Sequence, residues 1–196
     1  SSDLARVLGI LYINNNVSDD AIRSRIRLQL PINTLLFLIF FIAFLGRTLL
    51  GDGYAVNADG TVVMEALKYL HNLLDMWYLA VVLLVGVLLV LYGIIRTILQ
   101  ENYIKGIWAT GIGVVLVVIV LFLLAGYNNT AYYPSTAELQ SSLTIKNSCS
   151  SEFTLTAMFY ASLIAPFVLG YIYYAWRSID SKKIDRQEIE DDDHAY

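Results

Sequence analysis

This sequence predicts an all-α, polytopic helical membrane protein with four transmembrane helices plus the end of a fifth. Three observations predict it. Of 196 residues, 57% are hydrophobic and only 15% charged, whereas a soluble domain carries roughly 25% charged residues. Four stretches are each apolar over the roughly 20 residues that a bilayer crossing takes. The basic residues also divide unequally between the two ends of those stretches. The same numbers exclude other classes. A disordered chain needs low hydrophobicity and high charge. Thirteen basic against 17 acidic residues, a net charge of -4, offer nucleic acid no basic face. Buried helices of a soluble protein would need a polar outer layer that the charge count does not supply.

Residues 1–22 read as the end of a preceding helix and a cytoplasmic turn. Leu4, Val7, Leu8, Leu11 and Tyr12 recur at helical spacing. Both an interfacial helix and the end of an earlier span fit that pattern. The chain opens Ser-Ser-Asp without Met and reads as a piece of something longer. Asn16 to Asp20 form a turn with an N-cap before a basic helix start at Arg23.

Residues 23–177 read as a four-span bundle with two outward loops, about 51–76 and 126–152. The first span runs from about Leu30 to Leu50, with Arg47 as its only charge. In the loop after it, Tyr54 to Val63 read as a small hairpin. Asp59-Gly60 supplies the positive φ of its turn. A short helix follows from about Met64. The second span, Leu79 to Ile98, has 14 Leu, Ile or Val residues in 20. At roughly -0.3 to -0.6 kcal/mol each, they favour insertion enough to carry Arg96, which snorkels to the headgroups. The third span, Ile107 to Ala125, and the fourth, Phe153 to Trp176, carry no charge. Pro166 should kink the fourth. Residues 178–196 form a cytoplasmic acidic tail, with six acids and one Arg from Asp185 onward.

Orientation follows from the flanks. Ten of the 13 Lys and Arg residues lie on the side of the termini and the short loop from Leu99 to Gly106. Only Arg47, Lys68 and Lys146 lie on the other. Basic residues stay in the cytoplasm, so the termini are expected there. Trp77, Tyr78, Tyr103, Trp108, Tyr127 and Trp176 fall where the spans meet the headgroups, which suits their amphipathic rings.

No Asp, Glu, His or Lys lies inside any of the four spans. Proton relays and ion sites in membranes are built from such residues. The only histidines, His71 and His194, and the only cysteine, Cys149, lie outside them. Met158 alone is a poor haem ligand. No residue is therefore assigned as catalytic, cofactor-binding or metal-binding, and the segment reads as scaffold. Arg47 either snorkels or pairs with a carboxylate or lipid phosphate. His71 and Asp75 form an i,i+4 polar pair at the mouth of the second span. Asp191-Asp192-Asp193-His194 reads as a solvated run before it reads as a cation site. Asn128-Asn129-Thr130 is a glycosylation sequon only in a eukaryotic secretory pathway. Close helix approach is expected at Gly86 and Gly93, Ala109 and Gly113, and Ala161 and Ala165.

The second outward loop is dense in hydroxyls and amides. Its length and its apolar Leu143 and Ile145 predict an ordered lid. Those two side chains should anchor it, with Asn147 or Ser150 capping the last span.

This loop also carries a resemblance. Tyr133-Pro134-Ser135, Ser142-Leu143-Thr144-Ile145, Asn147 and Ser150-Ser151 resemble subunit II of cytochrome bd ubiquinol oxidase. So do Thr154 to Met158, Pro166-Phe167-Val168, Tyr174-Ala175-Trp176-Arg177, Arg23-Ser24-Arg25 and Lys68 to Leu73. The resemblance implies a C-terminal half: the end of a fifth span, then spans six to nine. It implies a haem-free subunit in the bacterial inner membrane. Haem b and haem d, and the quinol-oxidising loop, would sit in the partner subunit I. A small single-span subunit is a further implied partner. The complex would oxidise quinol and reduce oxygen to water, and this segment alone would be inactive. A four-span structural or assembly protein, or half of a transporter with a broken helix at mid-membrane, stands as the alternative.

Overall fold

Helix α1 (Ser2–Asn16) packs its Val7 and Leu11, both fully buried, against Leu30, Val90 and Ile94. The side chain of Asn14 donates to the Tyr103 carbonyl at 3.1 Å. The helix is therefore seated among the others and does not lie flat on them. The computed structural model containing it describes residues 2–100 and 103–179. The acidic run from Asp185, with Asp191 to His194, lies outside the described residues.

Helix α2 (Asp20–Leu50) starts earlier than its apolar stretch. Asp19, in extended backbone, accepts from the Ile22 N–H at 3.0 Å and so sets the start three residues before Arg23. At 31 residues the helix is about 46 Å long, against a hydrocarbon core of roughly 30 Å. Its first turns, with Arg23, Arg25 and Arg27, thus extend beyond the apolar part. Pro31 sits inside the helix without ending it, and the Asn33 amide adds a bond to the Gln29 carbonyl at 2.8 Å in that turn.

Helices α4 (Trp77–Leu99) and α5 (Gly106–Gly126) form a tight antiparallel hairpin. A Cβ on Gly93 would collide with the Thr110 hydroxyl and come within 2.6 Å of the Gly106 carbonyl. One on Gly113 would meet the Gly86 carbonyl at 2.5 Å. Glycine is needed because backbone meets backbone at both levels. The seam is Gly86 and Gly93 against Gly106 and Gly113. Of the expected small residues, Ala109 is only half-buried and does not belong to it.

At the end with the longer loops, here the loop face, β1 (Gly53–Val56) pairs antiparallel with β2 (Val62–Glu65). Gly60 has φ +86° in the turn between them, as the Asp-Gly pair predicts. The short helix is α3 (Lys68–Asp75), which starts four residues after Met64. Strands β3 (Ala131–Tyr133) and β4 (Leu143–Thr144) pair within the second loop. Two apolar clusters stack along the bundle. Val7, Leu11, Leu30, Val90 and Ile94 lie toward the 99–106 turn. Met76, Leu79, Leu83, Val117 and Val120 lie toward the loop face.

The fourth span is two helices, α6 (Glu152–Ser162) and α7 (Ala165–Ile179). Pro166 has no N–H to give the turn behind it. Around it Leu163, Ile164 and Phe167 donate to carbonyls only three residues back, and the α-helix is interrupted at 163–164. No residue of this span is buried. The expected contacts of Ala161 and Ala165 are therefore not made among the described residues.

Candidate functional site

Among the described residues a network of buried polar side chains forms the cap on the loop face, and α3 positions it. Asn72 is fully buried on the inner side of this short helix. Its side-chain amide donates to the Leu124 carbonyl at the end of α5 (3.1 Å) and to the Thr130 hydroxyl (2.7 Å). Asn128 in turn donates to the Asn72 side-chain oxygen (3.1 Å) and to Asp75 (3.0 Å). Asn128 and Asn129 both have φ above +50°, a left-handed conformation that Asn tolerates better than most residues. That turn brings the Asn129 carbonyl to the Val56 N–H at 2.8 Å. The first loop is thereby joined to the second.

A second joint lies across the cap. The Gln140 side chain accepts from the Val62 N–H (2.9 Å) and donates to the Val62 carbonyl (3.0 Å). It satisfies the outer edge of β2 as another strand would. Inside the second loop, Ser142 is fully buried and accepts from the Ser135 N–H at 3.0 Å. Asn147 accepts from the Thr144 N–H (2.7 Å) and donates to the Ser142 carbonyl (3.0 Å). The loop is an ordered lid, but polar groups hold it. Leu143 and Ile145, expected as its anchors, are 40% and 49% exposed. The reason is register: Thr144, between them, takes the inward position of the short strand.

The other singled-out residues fall as follows. His71 does not pair with Asp75. Its Nδ1 lies 2.8 Å from Glu65 Oε1, because Asp75 is taken by Asn128. Lys68, largely buried, reaches the other Glu65 oxygen at 3.4 Å. The His71 hydrogen bond, followed by the nearby Lys68 charge, holds the Glu65 carboxyl below its ordinary range against a smaller desolvation cost. Arg96 lies over the rings of Tyr92 and Tyr103, 5.5 and 4.8 Å from their centroids, and donates to Gln100 and the Tyr92 hydroxyl. Cys149 is exposed and free. The cap on the last span is Ser151, which accepts from the Thr154 N–H at 3.4 Å, and not Asn147 or Ser150. Asn128, acceptor residue of the sequon, has its amide engaged in the two bonds above. Among the described residues no three of His, Cys, Asp and Glu gather as a metal site would require.

Sequence reasoning missed Asn72, Thr130 and Gln140. Asn72 had a signal: with Lys68 it forms an i,i+4 pair on the buried side of an amphipathic helix. Gln140 had none, because its partner is 78 residues away. Asp3 was also missed. It is half-buried in the first turn of α1, level with Val114 and Val117 part-way along α5.

A comparison with protein families matches residues 3–179 to one family, described as cytochrome bd terminal oxidase subunit II. The chain belongs to the cytochrome bd oxidase subunit II family. A search of curated proteins found no match. Membership makes the chain a multi-pass membrane subunit of a bd-type terminal oxidase, which works as a complex with other subunits. The residues that carried the resemblance have a structural account in this subunit II chain. Ser135, Ser142, Thr144 and Asn147 build the lid, and Pro166 breaks the last span.

Proposed function

We propose that the chain is the haem-free C-terminal part of subunit II of a quinol oxidase that couples quinol oxidation to reduction of oxygen to water. The family match over residues 3–179 carries this reading. The composition of the spans supports it: none holds a His or Cys, so they offer haem no ordinary axial ligand. Met158, the remaining candidate, is 64% exposed on α6. Haem b and haem d are therefore assigned to subunit I, and no redox step is assigned to residues here. The chain acts as scaffold in the bacterial inner membrane, with the α1–α2 turn, the 99–106 turn and the end of α7 cytoplasmic. Helix α1 is read as the end of a further span, which the burial of Val7 and Leu11 among α2, α4 and α5 supports. The wholly uncovered α6–α7 span leaves a helix surface on which subunit I, a small single-span subunit or lipid can pack.

The test is spectroscopic. The native complex should purify with a d-type haem absorbance band that is lost when the subunit is deleted. An undiminished band in the deletion strain overturns the scaffold role.

A further inference from the structure

Helix α3 begins under strain. Leu67, the residue before it, has φ +56°, a left-handed conformation that a bulky side chain rarely adopts. No side chain caps the helix start. Two bases, Lys68 and His71, stand in its first turn, the end of a helix where positive charge is unfavourable. Lys68 is also only 8% exposed. Its stem lies against Gly53 of β1, where a Cβ on that glycine would come within 2.6 Å of it.

Glu65 answers both bases. One carboxylate oxygen lies 3.4 Å from Lys68 Nζ and the other 2.8 Å from His71 Nδ1. Among the described residues no other acid pairs with either base, and the surrounding elements supply no substitute. Asp75 is taken by Asn128. Asp52 lines a cleft with Arg47 and Tyr69 at the end of α2. Tyr54 on β1 and Tyr78 on α4 ionise far above the carboxylate range, and α5 has no ionisable side chain. Glu138, two residues before Gln140, makes no ion pair among the described residues. Glu65 itself is only partly buried, so protons reach it from solvent.

Both joints of the cap lead back to this carboxylate. Lys68 and Asn72 share the buried side of α3, and Asn72 holds the Leu124 carbonyl and Thr130. Val62, which Gln140 clamps, lies on the same strand as Glu65.

We propose that Glu65 is an acid-released latch for the lid of residues 126–152. Protonation leaves the Lys68 ammonium and the His71 imidazolium together at the start of a strained helix, with no anion between them. A buried charge that loses its partner is strongly unfavourable. Lys68 therefore turns out to water, and Asn72, on the same face, leaves its partners in the second loop. The His71 bond, then the Lys68 charge, holds the Glu65 carboxyl below its ordinary range. The latch is thus fully shut above the ordinary glutamate value of about 4.3 and opens as pH falls through the lowered one. Protonation of His71 alone, at higher pH, adds charge to its bond with Glu65 and keeps the lid shut. The proposal does not depend on the oxidase role.

The experiment follows amide exchange, as protection factors, in the assembled complex in nanodiscs as pH is lowered from neutral to below the glutamate range. In the wild type, residues 126–152 should lose about tenfold or more in protection, the equivalent of one pH unit of linkage, while α4 and α5 keep theirs. Glu65→Gln should show that loss already at neutral pH. Lys68→Met, which keeps the stem and removes the buried charge, should hold the lid shut in acid. A Glu65→Gln lid as protected as the wild type at neutral pH overturns the proposal. So does a Lys68→Met lid that opens at the wild-type pH, which would assign the transition to other carboxylates. A wild-type lid that stays shut, or that opens only together with the spans, overturns it as well. Where Glu65→Gln does not assemble, the wild-type and Lys68→Met titrations decide alone. The haem d band recorded on the same samples reports assembly separately.

Discussion

Asn72 is the residue on which both loops depend. It is fully buried and bonds the end of α5, Thr130 and Asn128 together. Asn72→Leu leaves the Leu124 carbonyl and the Thr130 hydroxyl without it, and an unsatisfied buried group costs about 1–3 kcal/mol. The variant should expose residues 126–152 to protease while the spans stay protected; protection equal to wild type would mean that the joint is ornamental. Adding Thr130→Val should cost less than its effect alone, since the two share one bond. Glu65 makes a pH prediction. Its carboxyl is held below the ordinary value by the His71 bond first and Lys68 second. A lowered carboxylate pKa stabilises the fold above the ordinary glutamate value, and the contribution is lost as pH falls through the lowered value. Amide exchange of residues 62–75 should therefore stay slow at neutral pH and rise only in acid. In His71→Ala the rise should come at higher pH, nearer the ordinary glutamate value; an unmoved midpoint would discount the pair. The expected partner, Asp75, was reasonable from spacing alone, and it failed because Asn128 arrives from 53 positions away.

Among the elements, the α4–α5 hairpin is the rigid unit and the last span the independent one. Gly93→Ala drives a methyl group against Thr110 and the Gly106 carbonyl. Overpacking of this kind costs about 1–3 kcal/mol. Gly111→Ala is the matched control, since a Cβ there meets nothing within 4 Å and alanine is the better helix former. Thermal unfolding in detergent should separate the two: a lowered midpoint for the first, an unchanged or raised one for the second. Equal midpoints would show that the seam has room. The α2 start and the α6–α7 interruption are local events. A side-chain cap at Asp19 and a missing N–H at Pro166 decide them. Periodicity marks the apolar stretch and not the whole helix; the helix start, read at Arg23 from the cap signal, lies three residues after the observed Asp20.

At the scale of the molecule, four spans place the start of α2 and the end of α7 on the side of the 99–106 turn, where Arg23, Arg25, Arg27, Arg96, Lys105 and Arg177 lie, against Arg47, Lys68 and Lys146 toward the loop face. In a Cys149→Ser background, intact cells should label Asn57→Cys and Ser141→Cys with an impermeant thiol reagent, and Ile179→Cys only after permeabilisation. The opposite pattern would invert the orientation.

Composition, run length and basic-residue placement were enough to predict a membrane protein of four spans, because bilayer insertion acts on each segment separately. They also carried the Asp-Gly hairpin, the break at Pro166 and the family resemblance, all of which are local in the chain. Which glycines face each other, and where Gln140 and Asn72 bond, were decided only by the fold. Those contacts join residues 13 to 78 positions apart in the chain. A helix's periodicity marks its apolar face without naming the neighbour that face will meet.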